Sequence, residues 1–169
     1  IGADDGQLNY IAAGTAAART LCETAAPAFA FTADAESVYC ATPGEVIRVG
    51  KQDGRVDRLP GGAAPLTALV ADTVRRTVYA GSRSGELFRV SGDRLARLDP
   101  KGARPHRIRN LAADSHGIVW VTSAETGITR YNPSTDDYKH FEQEPYTVSY
   151  NVDTITKIAE GGGLLWVKM

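Results

Sequence analysis

The side chains with most capacity for chemistry are three histidines and two cysteines. His106, His116 and His140 share no ligand spacing with one another or with Cys22 and Cys40, so no metal site is expected. The cysteines are too few for a disulfide framework. They read either as one bridge in an oxidising compartment or as one buried thiol and one loop thiol. Asp4-Asp5 and Asp136-Asp137 are adjacent acids in turn-rich sequence, and such acids are solvated more often than opposed as an acid–base pair. Gly161-Gly162-Gly163 lacks the downstream helix of a phosphate cradle and reads as a hairpin turn. No nucleophile elbow or phosphate-binding loop occurs. The inventory predicts no catalytic residue, no metal and no cofactor.

The densest charged feature is Arg94, Arg97, Lys101, Arg104, His106, Arg107 and Arg109. A basic cluster of this kind binds anions, phosphate or acidic sugars. The competing reading, a solvated loop, is favoured by the overall balance of 19 basic and 20 acidic residues and a net charge of −1. No aromatic side chains interleave the run, so nucleic acid is not an expected partner.

The elements that would position these residues are announced by a repeat. Gly6, Gly44, Gly85 and Gly127 head similar segments at intervals of 38, 41 and 42 residues. Short apolar runs precede three of them: Val38-Tyr39-Cys40, Val78-Tyr79-Ala80 and Val119-Trp120-Val121. Leu165-Trp166-Val167 begins a further copy. Upstream lie alternating stretches ending in an acid: Ala28 to Asp34, Leu66 to Asp72, Ile108 to Asp114 and Ile155 to Glu160. A last strand pattern follows each glycine segment, at Val56 to Leu59, Arg94 to Leu98 and Tyr138 to Phe141, with Arg19 to Leu21 as the first copy.

Four short strand patterns in about 40 residues, separated by Gly, Asp and Pro turns, are the signature of a β-propeller blade. The fold class predicted is all-β, a propeller fragment of about four four-stranded antiparallel blades. Its units are 22–60, 61–99 and 100–142, with half units at 1–21 and 143–169. The recurring acids Asp34, Asp72 and Asp114 sit where a tight turn needs a side-chain acceptor. The recurring aromatics Tyr39, Tyr79, Trp120 and Trp166 read as blade-to-blade packing residues.

Composition agrees with a globular chain: 43% hydrophobic, 23% charged, with 17 Gly and 8 Pro. No apolar run reaches the roughly 18 residues of a membrane span. The chain starts at Ile1 without a signal peptide and stops inside a strand pattern, so we read it as part of a longer protein.

Ile108 to Pro133 (IRNLAADSHGIVWVTSAETGITRYNP) resembles the two-component-regulator propeller repeat. That repeat runs as an apolar strand, Asp-x-x-Gly, an apolar-Trp-apolar strand and Gly-Leu-x-Arg-Tyr. Ser149 to Val167 is similar to the start of another copy, with Asn151 matching an Asn that precedes the first strand. Ile1 to Ile11 is similar to the second half of a copy. The middle units depart from the pattern: Tyr replaces Trp, and Asp-Ala-Glu-Ser or Asp-Thr-Val-Arg replaces the Asp-x-x-Gly turn. The resemblance implies the periplasmic sensor region of a hybrid two-component histidine kinase of Bacteroidetes, anchored in the inner membrane, dimeric, and recognising oligosaccharides.

Ligands of propellers meet the face made by inter-blade loops and second-to-third-strand loops. On that face fall Arg83, Arg104, His106, Glu125, Tyr146, Tyr150 and Asn151. Tyr146 and Tyr150 suit stacking on a sugar ring, and Arg83 and Glu125 suit hydrogen bonds to hydroxyls. Against that stands the ordinary reading of exposed loop residues, with Asn151 capping a turn. The expected function is a non-catalytic sensor module that binds oligosaccharide or relays its binding. The alternatives are a protein–protein scaffold and, third, a propeller lyase or hydrolase. Three blades and two halves close as a four-bladed ring, stay open, or join a second chain to make eight blades. An open arc would expose strand edges, so self-association through the end strands is expected.

Overall fold

The computed structural model describes residues 6–11, 18–123, 127–141, 157–161 and 164–168. Among these residues every regular element is a β-strand. β1 (Gln7–Ile11) pairs antiparallel with β2 (Ala18–Glu23). The first four-stranded meander is β3 (Ala30–Ala33), β4 (Ser37–Ala41), β5 (Glu45–Gly50) and β6 (Val56–Pro60). The second is β7 (Leu66–Asp72), β8 (Thr77–Ser82), β9 (Leu87–Ser91) and β10 (Arg94–Arg97). The third is β11 (Ile108–Ala113), β12 (Val119–Ser123), β13 (Gly127–Asn132) and β14 (Asp137–Phe141). β15 (Lys157–Gly161) and β16 (Leu164–Lys168) form a last pair. The chain is a β-propeller fragment, and its meanders are the blades.

The blades pack because their central strands are apolar on both sides, as on β4 and β8. Alternate residues of a strand point to opposite faces. On β8, Val78 and Ala80 join Tyr39, Ala41, Val46 and Leu59 of the first blade in one core. Tyr79, between them, joins Leu111, Val119, Val121 and Tyr131 of the third blade in another. Leu8 of β1 packs on Cys40, Ile47 and Val49 in a third core. Tyr39 and Tyr79 are buried in these seams, as packing residues. Trp166 departs from that expectation, being 63% exposed.

The inner strands β3, β7 and β11 lie side by side, and β15 follows against β11. Threonine hydroxyls lace them together: Ala71 N–H donates to Thr32 Oγ1 at 3.0 Å, and Thr67 Oγ1 donates to the Ile108 carbonyl at 2.6 Å. In β7 and β11 the pairing register shifts by one residue near the start of the strand, leaving Thr67 and Arg109 as the extra residues of two bulges.

Cys22 and Cys40 are both free thiols. Cys22 lies on β2 rather than in a loop, packed against the core that buries Cys40. Burial pushes the Cys40 thiol up to about 11. A buried thiol of this kind behaves as a small hydrophobe.

At the end of β3, β7 and β11 a carboxylate closes the following turn. Asp34 Oδ1 accepts from the N–H of Glu36 and Ser37 at 2.9 and 2.7 Å. Asp72 Oδ1 accepts from Val74 and Arg75, and Asp114 Oδ1 from His116 and Ile118. The second oxygen of Asp34 takes the Tyr39 hydroxyl at 2.8 Å, and that of Asp114 takes Trp120 Nε1 at 2.9 Å. Burial, then the bond to Asp34, pushes the Tyr39 phenol up to about 12. Burial also pulls Asp34 upward, but the bonds from Ser37, Tyr39 and Glu36 outweigh it and its carboxyl lies below the usual value.

These shifts set the sign of the pH dependence. Tyr39 is raised when folded, so its contribution is complete below the unfolded value of 10.0 and is lost as pH rises toward about 12. Asp34 is lowered when folded, so its contribution is complete above about pH 4 and is lost as pH falls through its folded value. In melts taken across the alkaline range, Tyr39→Phe will lose less stability between about pH 10 and 12 than the parent chain. Equal losses in both chains would show that the Asp34–Tyr39 pair does not set this limb.

Candidate functional site

The N-terminal ends of the inner strands meet at one rim of the arc. A cavity of about 370 Å³ opens there. Phe29 and Pro65 stand before the inner strands of the first and second blades, and Thr67 and Arg109 are the two bulge residues. Arg107 comes from the loop entering β11, and Arg83 from the turn between β8 and β9. The volume lies in the usual range for small-molecule pockets, ~300–1,000 Å³.

The backbone fixes these loops against each other. Arg83 N–H donates to the Pro65 carbonyl at 2.8 Å. Gly85, at φ 84°, closes the same turn through a 3.1 Å bond from its N–H to the Ser82 carbonyl. A Cβ on Gly85 would stand 1.7 Å from the Pro105 carbonyl oxygen, so only glycine lets the turn lie on the loop that carries Arg107. Arg107 itself has φ 45°, a left-handed conformation unusual for a long side chain.

The same turn and loop border a second cavity of about 320 Å³, lined by Ser84, Asp99, Arg104, Pro105, His106 and Tyr138 among others. Arg104 lies 3.5 Å from Asp99. Burial holds the Tyr138 phenol above its usual range.

The structure therefore divides the residues expected on this face. Arg83 lines the cavity at the inner-strand rim, and Arg104 and His106 line its neighbour. Glu125, Tyr146, Tyr150 and Asn151 lie outside the described residues. Phe29, Pro65, Thr67, Arg107, Ile108 and Arg109 are the lining residues of the rim cavity that the expectation did not include. Both arginines belong to the basic run, so the signal was present. The run itself is split by the fold: Arg97 pairs with Glu86 at 3.3 Å and Arg104 with Asp99, while Arg107 and Arg109 face the rim cavity. Among the described residues no group of three or more His, Cys, Asp or Glu is placed to hold a metal ion.

No family model matches the chain, and no curated protein sequence matches it. Solved structures do match by fold. The computationally designed Ika8 protein shares 17% identity at a TM-score of 0.74, with 98% of this chain and 50% of that chain covered. The extracellular domain of a protein assigned as a hybrid two-component system of B. thetaiotaomicron shares 20% identity at 0.65, covering 86% of this chain and 20% of that one. A streptogramin B lyase shares 11% identity at 0.76, covering 96% and 55%. The chain thus spans about half the length of two of these proteins and a fifth of the third. At these identities the similarity shows the fold.

Gly85→Ala will lower stability by about 2–3 kcal/mol, from the left-handed backbone and the contact with Pro105 together. Urea unfolding checks this, and an unchanged midpoint would mean that the turn and the Pro105 loop are not held in register by Gly85.

Proposed function

We propose that this chain is a non-catalytic binding module of a sensor protein, exposed in the periplasm, that binds oligosaccharide or relays its binding. The observation that carries the reading is the cavity at the inner-strand rim together with its neighbour, where loops from several blades bring cationic, hydroxyl and aromatic groups close to one another. Rigid strands holding variable loops are the common arrangement of binding proteins. The likeness to a two-component extracellular domain supports the sensor context. The repeat at Ile108 to Pro133 supports it from the sequence. A sugar offers hydroxyls to groups such as Arg83, Arg104 and His106, and an apolar ring face to Phe29. A catalytic reading draws on the streptogramin B lyase likeness.

We further propose self-association. β1 and β16 each have one strand neighbour among the described residues, so each has an edge with no described strand on it. Such edges recruit strands from other chains.

A thermal-shift screen of neutral and acidic oligosaccharides will find a stabilising ligand. A ligand at ~100 times its Kd adds about 2.7 kcal/mol, which is several degrees for a chain of this size. A screen with no shift would favour the scaffold reading, and release of product from any glycan would favour the catalytic one. Light scattering will give a mass above the 18.1 kDa of one chain. A monomer at all concentrations would end the self-association proposal.

A further inference from the structure

The rim cavity carries three guanidinium groups, Arg83, Arg107 and Arg109, and no carboxylate among its described lining residues. Neither Arg83 nor Arg109 forms an ion pair with a described residue, so neither charge is neutralised by a carboxylate among them. Arg83 and Arg109 bring two like charges to one concavity, where they repel each other, and the chain as a whole is slightly acidic at −1. The surroundings gain from an anion placed between them.

The placement is built into the strands. Bulges add one residue, turn a side chain to a new direction, and occur beside functional sites more often than elsewhere. Here two blades carry a bulge at the corresponding point, and both extra residues, Thr67 and Arg109, line the same cavity. Thr67 is further fixed by its 2.6 Å bond to the Ile108 carbonyl, next to Arg109. Arg107 holds a left-handed backbone conformation at the same rim, a form of local strain that clusters at ligand sites. Phe29, 59% exposed, supplies the one aromatic surface of the lining.

We propose that this cavity binds an acidic saccharide. Arg83 and Arg109 grip its carboxylate or sulfate through charge-assisted hydrogen bonds, and the C–H face of the sugar ring lies on Phe29. A guanidinium fork matches both oxyanions in geometry, which a neutral sugar does not exploit. This deepens, and rests on, the carbohydrate-binding reading above.

The test is calorimetry on the 169-residue chain with three probes of equal length: trigalacturonate, a sulfated trisaccharide and neutral galactotriose. We expect at least one acidic probe to bind more tightly than galactotriose, with affinity falling as salt is raised. The double variant Arg83→Ala/Arg109→Ala will weaken that binding by about tenfold or more. Both side chains are exposed, so the variant will melt as the parent does. Arg83→Lys keeps the charge and loses the fork, and will recover part of the affinity. If galactotriose binds as tightly as the acids and the double variant changes nothing, the acidic-ligand proposal fails and the carbohydrate reading survives. If inorganic sulfate alone binds, in an Arg83-dependent manner, and no saccharide does, the carbohydrate reading fails. If none of the probes binds, both fail.

Discussion

Burial of blade faces against neighbouring blades is the constraint from which the rest of this structure follows. Val78 and Ala80 need the first blade, Tyr79 needs the third, and neither requirement can be met by one sheet alone. A blade is thus a repeat unit whose stability resides in its neighbours. Tyr79 and Tyr131 meet edge to face at 6.0 Å across one such seam. Tyr131 donates to Asp136 from the same cluster, so even the polar atoms of the seam are placed by it. The second strands β4, β8 and β12 consequently carry continuous apolar runs, Val38-Tyr39-Cys40, Val78-Tyr79-Ala80 and Val119-Trp120-Val121, rather than alternation with polar residues. Strands covered on both faces read this way, even in an antiparallel sheet.

Polar groups at the blade margins convert packing into a defined spacing. Arg48 joins Asp57 of its own blade at 2.7 Å and the Gly92 carbonyl of the next at 2.8 Å. Arg75 reaches from Asp72 to Ser134 of the third blade. Asp34, Asp72 and Asp114 fix where each inner strand ends, and the threonine bonds fix how neighbouring inner strands slide. At the opposite rim the Arg83 N–H to Pro65 carbonyl bond and the close approach of Gly85 to Pro105 set the loops around the cavity containing Arg83, Arg107 and Arg109.

The middle blades show how a degraded repeat keeps its geometry. The third blade uses Gly117, at φ 72°, in the turn after Asp114. The second has no glycine there, and Arg76, one residue beyond the glycine's place, takes φ 51°. The first keeps the capping acceptor at Asp34 and adds the Tyr39 hydroxyl, which takes the role of the Trp120 indole. The acceptor is common to all the turns, while the glycine and the indole are replaceable. Conformational strain at one residue costs less than an unsatisfied turn between two packed blades.

The amino-acid order alone determined the propeller, because strand patterning, turn residues and a period near 40 are local properties of the chain. It also placed Asp34, Asp72 and Asp114 at their turns, since an aspartate cap acts on the next few residues. It marked Arg83, Arg104 and His106 as residues of the loop face, and it showed the basic run. What that run does was decided by the tertiary structure. A bulge depends on how two strands pair, so nothing in the order Ile108-Arg109-Asn110 announces that Arg109 is the extra residue. Phe29, Thr67, Arg83 and Arg109 stand far apart in sequence, and they share a cavity only because inner strands of successive blades pack side by side. Which arginines find a carboxylate was settled in the same way, by sheet partners and loop contacts that no local pattern encodes.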